Sequence, residues 1–323
     1  MAMDHRLTCR HATGLLFAAA VVLIMAPSRG LAADWAERPF NPPIGSHWIV
    51  QSEETEKDEV NSSVTGTSTK KITALLVYDE KLADGYRVTY RWTGGSYEGD
   101  ADDPATVRAA LAAMQGHSYR VVTDPAGKPL RVENLVELRA ALRKTIDDVA
   151  AKATSAEVAA AVKKLLAALA NVDEKQAAEH LDKLPLLARG QNTGLKQGEV
   201  RRQTVPEAVP GATPIQKTIT MKILEGDLDG AKVRLELTEV NDPESLRGMM
   251  MSLLSKLDAS DRGVSQQIET VKKMQFTQEA RTVLDVVDGM TRSLQVDKVT
   301  VKSLPGETAR ITNREIVTVS PMN

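Results

Sequence analysis

Cysteine is all but missing from this chain: its single copy, Cys9, stands near the start of 323 residues. Arg6, Arg10 and His11 form a basic stretch, an apolar run follows from Thr13 to Met25, and a break at Pro27, Ser28, Arg29 and Gly30 leads to Leu31-Ala32-Ala33 before Asp34. Basic head, apolar middle and small-residue cut together describe a secretory signal peptide over 1–33, cleaved after Ala33. The apolar run of 13 residues falls short of the roughly 17–25 that span a bilayer, which argues against a retained anchor. A lipoprotein would need a cysteine directly after that run, and Cys9 lies before it. The mature chain, expected in the periplasm or outside the cell, is thereby denied a disulfide, a thiolate metal site and a cysteine nucleophile.

Other scarcities exclude other chemistry. Losing Arg6, Arg10, Arg29 and Asp4 with the leader moves the formal charge from −2 to −4, and mild acidity with scattered basic residues argues against nucleic acid as a partner. No later segment has the length and apolarity of a transmembrane span. Glycines sit singly at turns, so neither common phosphate-cradling loop is present. His47, His117 and His180 stand apart from one another without metal-ligand spacing. Gly94-Gly95-Ser96-Tyr97-Glu98 ends in Glu where a nucleophile elbow requires Gly, and it follows a half-exposed strand. No cofactor is implied.

What the sequence does have is alternation. Tyr86, Val88, Tyr90 and Trp92 share one face of a strand, with Arg87, Thr89, Arg91 and Thr93 on the other. Ile72 to Tyr78 pairs with it through Asp84-Gly85 as a β-hairpin. The pattern recurs: Thr218 to Leu224, the Asp229-Gly230 turn, then Val233, Leu235 and Leu237. Asp103-Pro104 and Asp242-Pro243 each open a helix, since Asp caps and Pro suits the first position. Further hairpins turn at Asp124-Pro125-Ala126-Gly127 and Asp288-Gly289. Four features in matched order predict an internal repeat of β-β-α-β-β units.

Between them, Leu135, Leu138, Leu142, Ile146 and Val149, then Val158, Val162, Leu165, Leu169 and Val172, step at helical spacing. Capping boxes at Asn134/Glu137 and Thr154/Glu157 start two helices, and a third is expected from Glu174 to Lys183. The predicted fold is α+β: two related antiparallel units over 34–133 and 189–323, forming curved sheet, with an all-helical insertion over 134–188. Pro206, Pro210 and Pro214 lead into the second unit. Glu53 to Glu59 reads as a strand end, and Asn61 to Thr69 as a long polar hairpin loop.

Two groups of residues are candidate sites. After the leader, every aromatic except Phe276 lies between Trp35 and Tyr119. Trp48, Tyr86, Tyr90 and Trp92 could therefore line an apolar ligand pocket on a curved sheet, or simply fill a core. Glu225, Asp227, Asp229 and Glu236 have the spacing of a calcium loop, with Gly230 at the bend. Their flanks alternate as strands, which favours a plain hairpin turn and no metal. Met249, Met250 and Met251 cannot all face one way on a helix, so core packing is their expected role.

Gly45-Ser46-His47-Trp48 and the Asp124 and Asp288 turns resemble the pattern of uncharacterised exported bacterial β-rich proteins. More distantly, the pattern is similar to the half-barrel of periplasmic lipoprotein carriers, a resemblance that implies a curved antiparallel sheet with helices on one side and assigns no residue a role. The expected function is a non-enzymatic envelope protein that binds an apolar small molecule or a partner protein. The alternatives are an assembly factor docking through the helical insertion, and a hydrolase, which lacks a recognisable nucleophile.

Overall fold

The computed structural model describes residues 38–100, 104–151, 173–179, 181, 183–191, 193–195, 198–207, 209, 212–227, 231–255 and 262–322. The signal peptide, the helical pattern from Thr154 to Val172, His180 and the Asp229-Gly230 turn lie outside these residues.

The strands are β1 (His47–Val60), β2 (Ser63–Leu82), β3 (Gly85–Gly99), β4 (Ser118–Thr123), β5 (Pro129–Val132), β6 (Val200–Glu207), β7 (Ile215–Gly226), β8 (Lys232–Asn241), β9 (Gln275–Val287), β10 (Met290–Leu304) and β11 (Glu307–Pro321). They form one 11-stranded sheet in the order β5-β4-β3-β2-β1-β11-β10-β9-β8-β7-β6, and each pairing is antiparallel. The predicted α+β fold of two units with an all-helical insertion is therefore corrected to a mostly β protein built on a single sheet. The cause is the ladder between β1 and β11, which runs unbroken from Trp48 opposite Pro321 to Val60 opposite Ala309. It joins the chain's two halves edge to edge and removes two edges that would otherwise need cover.

The segment expected as a strand end and a polar loop is instead the outer half of a long hairpin. Asn61 (φ 50°) and Ser62 (φ 66°) make its two-residue turn, the positive-φ geometry that matches strand twist. Charges of opposite sign face each other across it, Glu54 with Lys70 at 2.7 Å and Glu53 with Lys71 at 3.2 Å. Cross-strand pairs support a ladder as apolar pairs do, so a polar run can still be strand.

Helices add to the sheet without forming a layer apart. They are α1 (Pro104–Met114), α2 (Leu135–Ala151), α3 (Glu174–Glu179), α4 (Leu184–Leu187), α5 (Pro243–Leu254) and α6 (Arg262–Lys273). Asp242 caps α5, its carboxylate accepting from the Ser245 amide at 2.7 Å. Asn134 does something other than close a capping box: its Oδ1 accepts from the Arg120 amide and its Nδ2 donates to the Ser118 carbonyl, both in β4. This fastens the start of α2 to the sheet, and Leu135, Leu138 and Leu142 enter the main core.

That core gathers the inner faces of β1–β4 and β7–β11 together with Leu181, Leu184, Leu187 and Leu195. The stretch from Leu181 to Leu195 thus crosses the inner face of the sheet. Gly190 (φ +75°) permits the crossing, because a Cβ there would stand 3.1 Å from Leu235 and 3.3 Å from Leu284. At one end Phe40, Tyr78 and Tyr86 meet edge to face with centroids 5.4–6.0 Å apart. A second, smaller cluster of Ile215, Leu246, Met249 and Phe276 forms where α5 covers β7 and β9.

Candidate functional site

The inner face changes character half-way along the strands while keeping its phase. Side chains two apart share a face, so in β1 Trp48 and Val50 are followed by Ser52, Glu54 and Glu56 on the same side. In β11 Val319 and Val317 give way to Glu315 and Asn313. The change is repeated in β10 from Leu294 and Val296 to Lys298, in β8 from Leu235 and Leu237 to Glu239, and in β7 from Ile219 to Lys217. Register brings these positions level: Glu54 lies opposite Glu315, Val296 opposite Glu315, Lys298 opposite Asn313, and Lys217 opposite Asn241.

A cavity of about 250 Å³ occupies this level. Its floor is made by residues of β1, β2 and β7 to β11, and its roof by Lys183, Pro185, Leu186 and Arg189 of the crossing segment.

The lining is mostly charged. Five cations, Lys70, Lys183, Arg189, Lys217 and Lys298, face three carboxylates, Glu54, Glu239 and Glu315. Lys217 bridges Glu207 at 2.9 Å and Glu239 at 3.0 Å, with all three side chains buried. Arg189 reaches Glu239 at 3.7 Å, Lys70 pairs with Glu54, and Lys183 of the roof is ion-paired to Glu315 of the floor. Lys298 makes no ion pair with any described residue.

Burial governs how these groups hold protons. Desolvation raises the Glu207 carboxyl above its usual value against the pull of Lys217. It also lowers the Lys298 amine, helped by Lys217 and opposed by Glu239, Glu207 and Glu54. Further along β10, desolvation brings Lys302 down to about 8. Desolvation first, then Asp58 and Glu54, raises Glu56. Asn241 Oδ1, buried without a hydrogen-bond partner, adds an unmet acceptor to the cavity wall. Pro185, Leu186, Ala280 and Val296 supply the apolar part of the lining.

The aromatic candidates lie elsewhere on the same face. Trp48, Tyr86, Tyr90 and Trp92 are 0–7% exposed within the main core, and none of them lines the cavity. Trp48 carries the Arg292 guanidinium 4.0 Å above its ring and donates from Nε1 to Ser46 Oγ at 2.8 Å. Of the acidic candidates, Glu236 points to the opposite face of β8, where Lys222 and Arg281 hold its carboxylate, while Glu225 and Asp227 line one cleft with Lys232 and Arg234, and the Asp227 amide donates to the Lys232 carbonyl. No cluster of three or more potential metal ligands occurs among the described residues. His47 is exposed, and His117 Nε2 lies 3.2 Å from Thr145 Oγ1, with burial lowering its pKa.

Two other clefts, of about 290 and 440 Å³, open near Arg234 and Asp285. Those two side chains form a half-exposed pair at 3.6 Å on the outer face, so the clefts lie among solvated charges.

No protein-family model matches this chain, and no curated protein matches it in sequence. Among solved structures it is similar to lipovitellin, at 8% identity and a TM-score of 0.43 over 86% of this chain. The match spans 25% of the lipovitellin chain. It is also similar to an outer membrane channel from Pseudomonas putida F1, at 7% identity and a TM-score of 0.19, over 90% of this chain and 100% of that one. Neither likeness bears on what this chain does.

The cavity residues carried a sequence signal of their own. Lys217 between Ile215 and Ile219, Glu239 after Leu235 and Leu237, and Lys298 after Leu294 and Val296 are charges placed in the buried phase of a strand. Such a charge must find a partner, a pocket or water. Which of the three it finds is set by strands that meet across long stretches of chain.

Proposed function

We propose that this is an exported, non-enzymatic binding protein whose ligand is a small amphipathic anion held between the sheet and the crossing segment. The observation that supports this most is the excess of cations over carboxylates in a partly buried cavity, at the level where an apolar inner face turns charged. Small-molecule sites combine apolar walls with a few placed polar groups, and here Leu186, Pro185, Ala280 and Val296 are the walls. Among the described residues the cavity lining includes no His, Ser or Cys, which favours holding a ligand over hydrolysing one. Export rests on the leader pattern of residues 1–33.

Size narrows the ligand. A cavity of about 250 Å³ suits a small molecule whose charged end meets the cations and whose apolar part lies against Pro185, Leu186, Ala280 and Val296. The apolar end of the inner face is already filled by the protein's own rings and by Leu181, Leu184, Leu187 and Leu195. Native mass spectrometry of protein purified from its own envelope tests the proposal: a small anion should accompany the chain and leave on mild activation. A bare chain, or a ligand whose photo-crosslinks map to the outer face, would overturn it.

A further inference from the structure

We infer that Lys298 is the counter-ion of the ligand and selects a singly charged carboxylate. The inference rests on the binding reading above and names the chemistry of that same cavity.

Lys298 differs from every other cation in the lining. Lys70, Lys183, Arg189 and Lys217 each have a carboxylate within ion-pair reach. Lys298 sits on the inner face of β10 between Ala280 of β9 and Asn313 of β11, neither of which can balance its charge. The groups that act on it are Lys217 of β7, Glu239 of β8, Glu207 of β6 and Glu54 of β1. Lys70 of β2, Glu315 of β11, and Lys183 and Arg189 of the roof are the other charges that line the cavity among the described residues. A half-buried ammonium without an ion-pair partner carries a desolvation cost that a bound anion offsets.

Charge balance then selects the ligand's valence. Lys70, Lys183, Arg189, Lys217 and Lys298 stand against Glu54, Glu239 and Glu315 of the lining and the adjoining Glu207, which leaves one positive charge in excess among the described residues. A carboxylate balances that charge. A phosphate monoester, doubly charged near neutrality, leaves one negative charge in excess, and an amine adds a positive one. Burial, helped by Lys217 and opposed by Glu239, Glu207 and Glu54, lowers the Lys298 amine, and an anion bound beside it favours the ammonium form.

Titration calorimetry with hexanoate, hexyl phosphate and hexylamine as probes, on the mature chain between pH 6 and 10, tests the inference. Hexanoate should bind most tightly, with Kd rising by up to about tenfold per pH unit once Lys298 in the free protein has lost its proton. Lys298→Met should abolish hexanoate binding, and Lys298→Arg should keep it with a flat pH profile. Thermal unfolding of both variants shows that they fold, and Lys302→Met should leave the profile in place. Unchanged binding by folded Lys298→Met, a wild-type profile flat with pH, or a profile lost in Lys302→Met overturns the role of Lys298 while the cavity reading stands. No binding of any probe at any pH overturns both.

Discussion

The two ends of one sheet face make the useful comparison in this protein. At the end near Trp48, Tyr86 and Tyr90 the inner face is closed: these side chains are buried in the main core, and Phe40 packs edge to face on Tyr78 and Tyr86. Six residues beyond Trp48 on β1, and two beyond Val317, Val296, Leu237 and Ile219 on the neighbouring strands, the same face carries Glu54, Glu315, Lys298, Glu239 and Lys217 around a cavity. Both ends are covered by other parts of the chain, so burial by itself does not separate them. What separates them is how the covering material meets the sheet: apolar against apolar at one end, charge against charge at the other. The first end supplies stability through area removed from water. The second is held by ion pairs that return much of their Coulomb gain as desolvation, a poor way to stabilise a fold and a good way to keep polar groups in place.

The comparison predicts that substitutions at the two ends affect different measurements. The largest stability effect belongs to the aromatic end, where Tyr90→Ala, at 0% exposure, should cost about 3–5 kcal/mol in denaturant unfolding. A loss under about 1 kcal/mol would show that the end is not a packed core.

Next comes Lys217→Met, which leaves Glu207 and Glu239 buried together without their shared cation. Its cost should be about 3 kcal/mol at pH 7 and smaller near pH 4. Because the Glu207 carboxyl is raised in the folded state, its contribution to stability is present below the unfolded value and is lost as pH rises through the folded one. An effect equal at both pH values would separate the carboxylates from the penalty.

Lys302→Met should act in the opposite direction, stabilising the protein by about 1–2 kcal/mol at pH 7. The Lys302 amine is depressed from 10.5 to about 8, so in the wild type its penalty is complete below 8 and relieved as pH rises towards 10.5. The gain should therefore vanish in melts recorded near pH 10.5, and a gain that persists there would point to packing rather than charge. Smallest is Lys71→Ala on the outer face, whose pair with Glu53 is 59%/49% exposed. It should change stability by no more than about 0.5 kcal/mol, and a larger loss would mean that outer-face pairs hold the hairpin together.

Much of the strand structure was legible in the residues. The alternation of Tyr86, Val88, Tyr90 and Trp92 placed β3 and its buried face, and the Asp288-Gly289 turn is observed with φ of 51° and 75°. Asp242 opened α5 as expected, and Leu135, Leu138 and Leu142 marked the buried side of α2. The outer halves of β1 and β2 were hidden because Glu, Lys, Ser and Thr look like loop until a partner strand is known. The site was hidden for a related reason: aromatics drew attention as possible lining, whereas the cavity is made by lysines and glutamates whose partners lie far away in sequence. Lys183 meets Glu315, and Arg189 meets Glu239, pairings that no local spacing announces.

By itself the sequence determined where strands run, which side of each faces inward, where turns reverse the chain, and that several charges share the inward phase. These are local properties, governed by the two-residue period of a strand and the φ demands of a turn. Only the tertiary structure decided that β1 pairs with β11, that the sheet is one, and that a crossing segment roofs its charged level. The same alternation is compatible with many partners, and whether a lysine ends as a solvated surface group or in the lining of a cavity depends on what is laid over it.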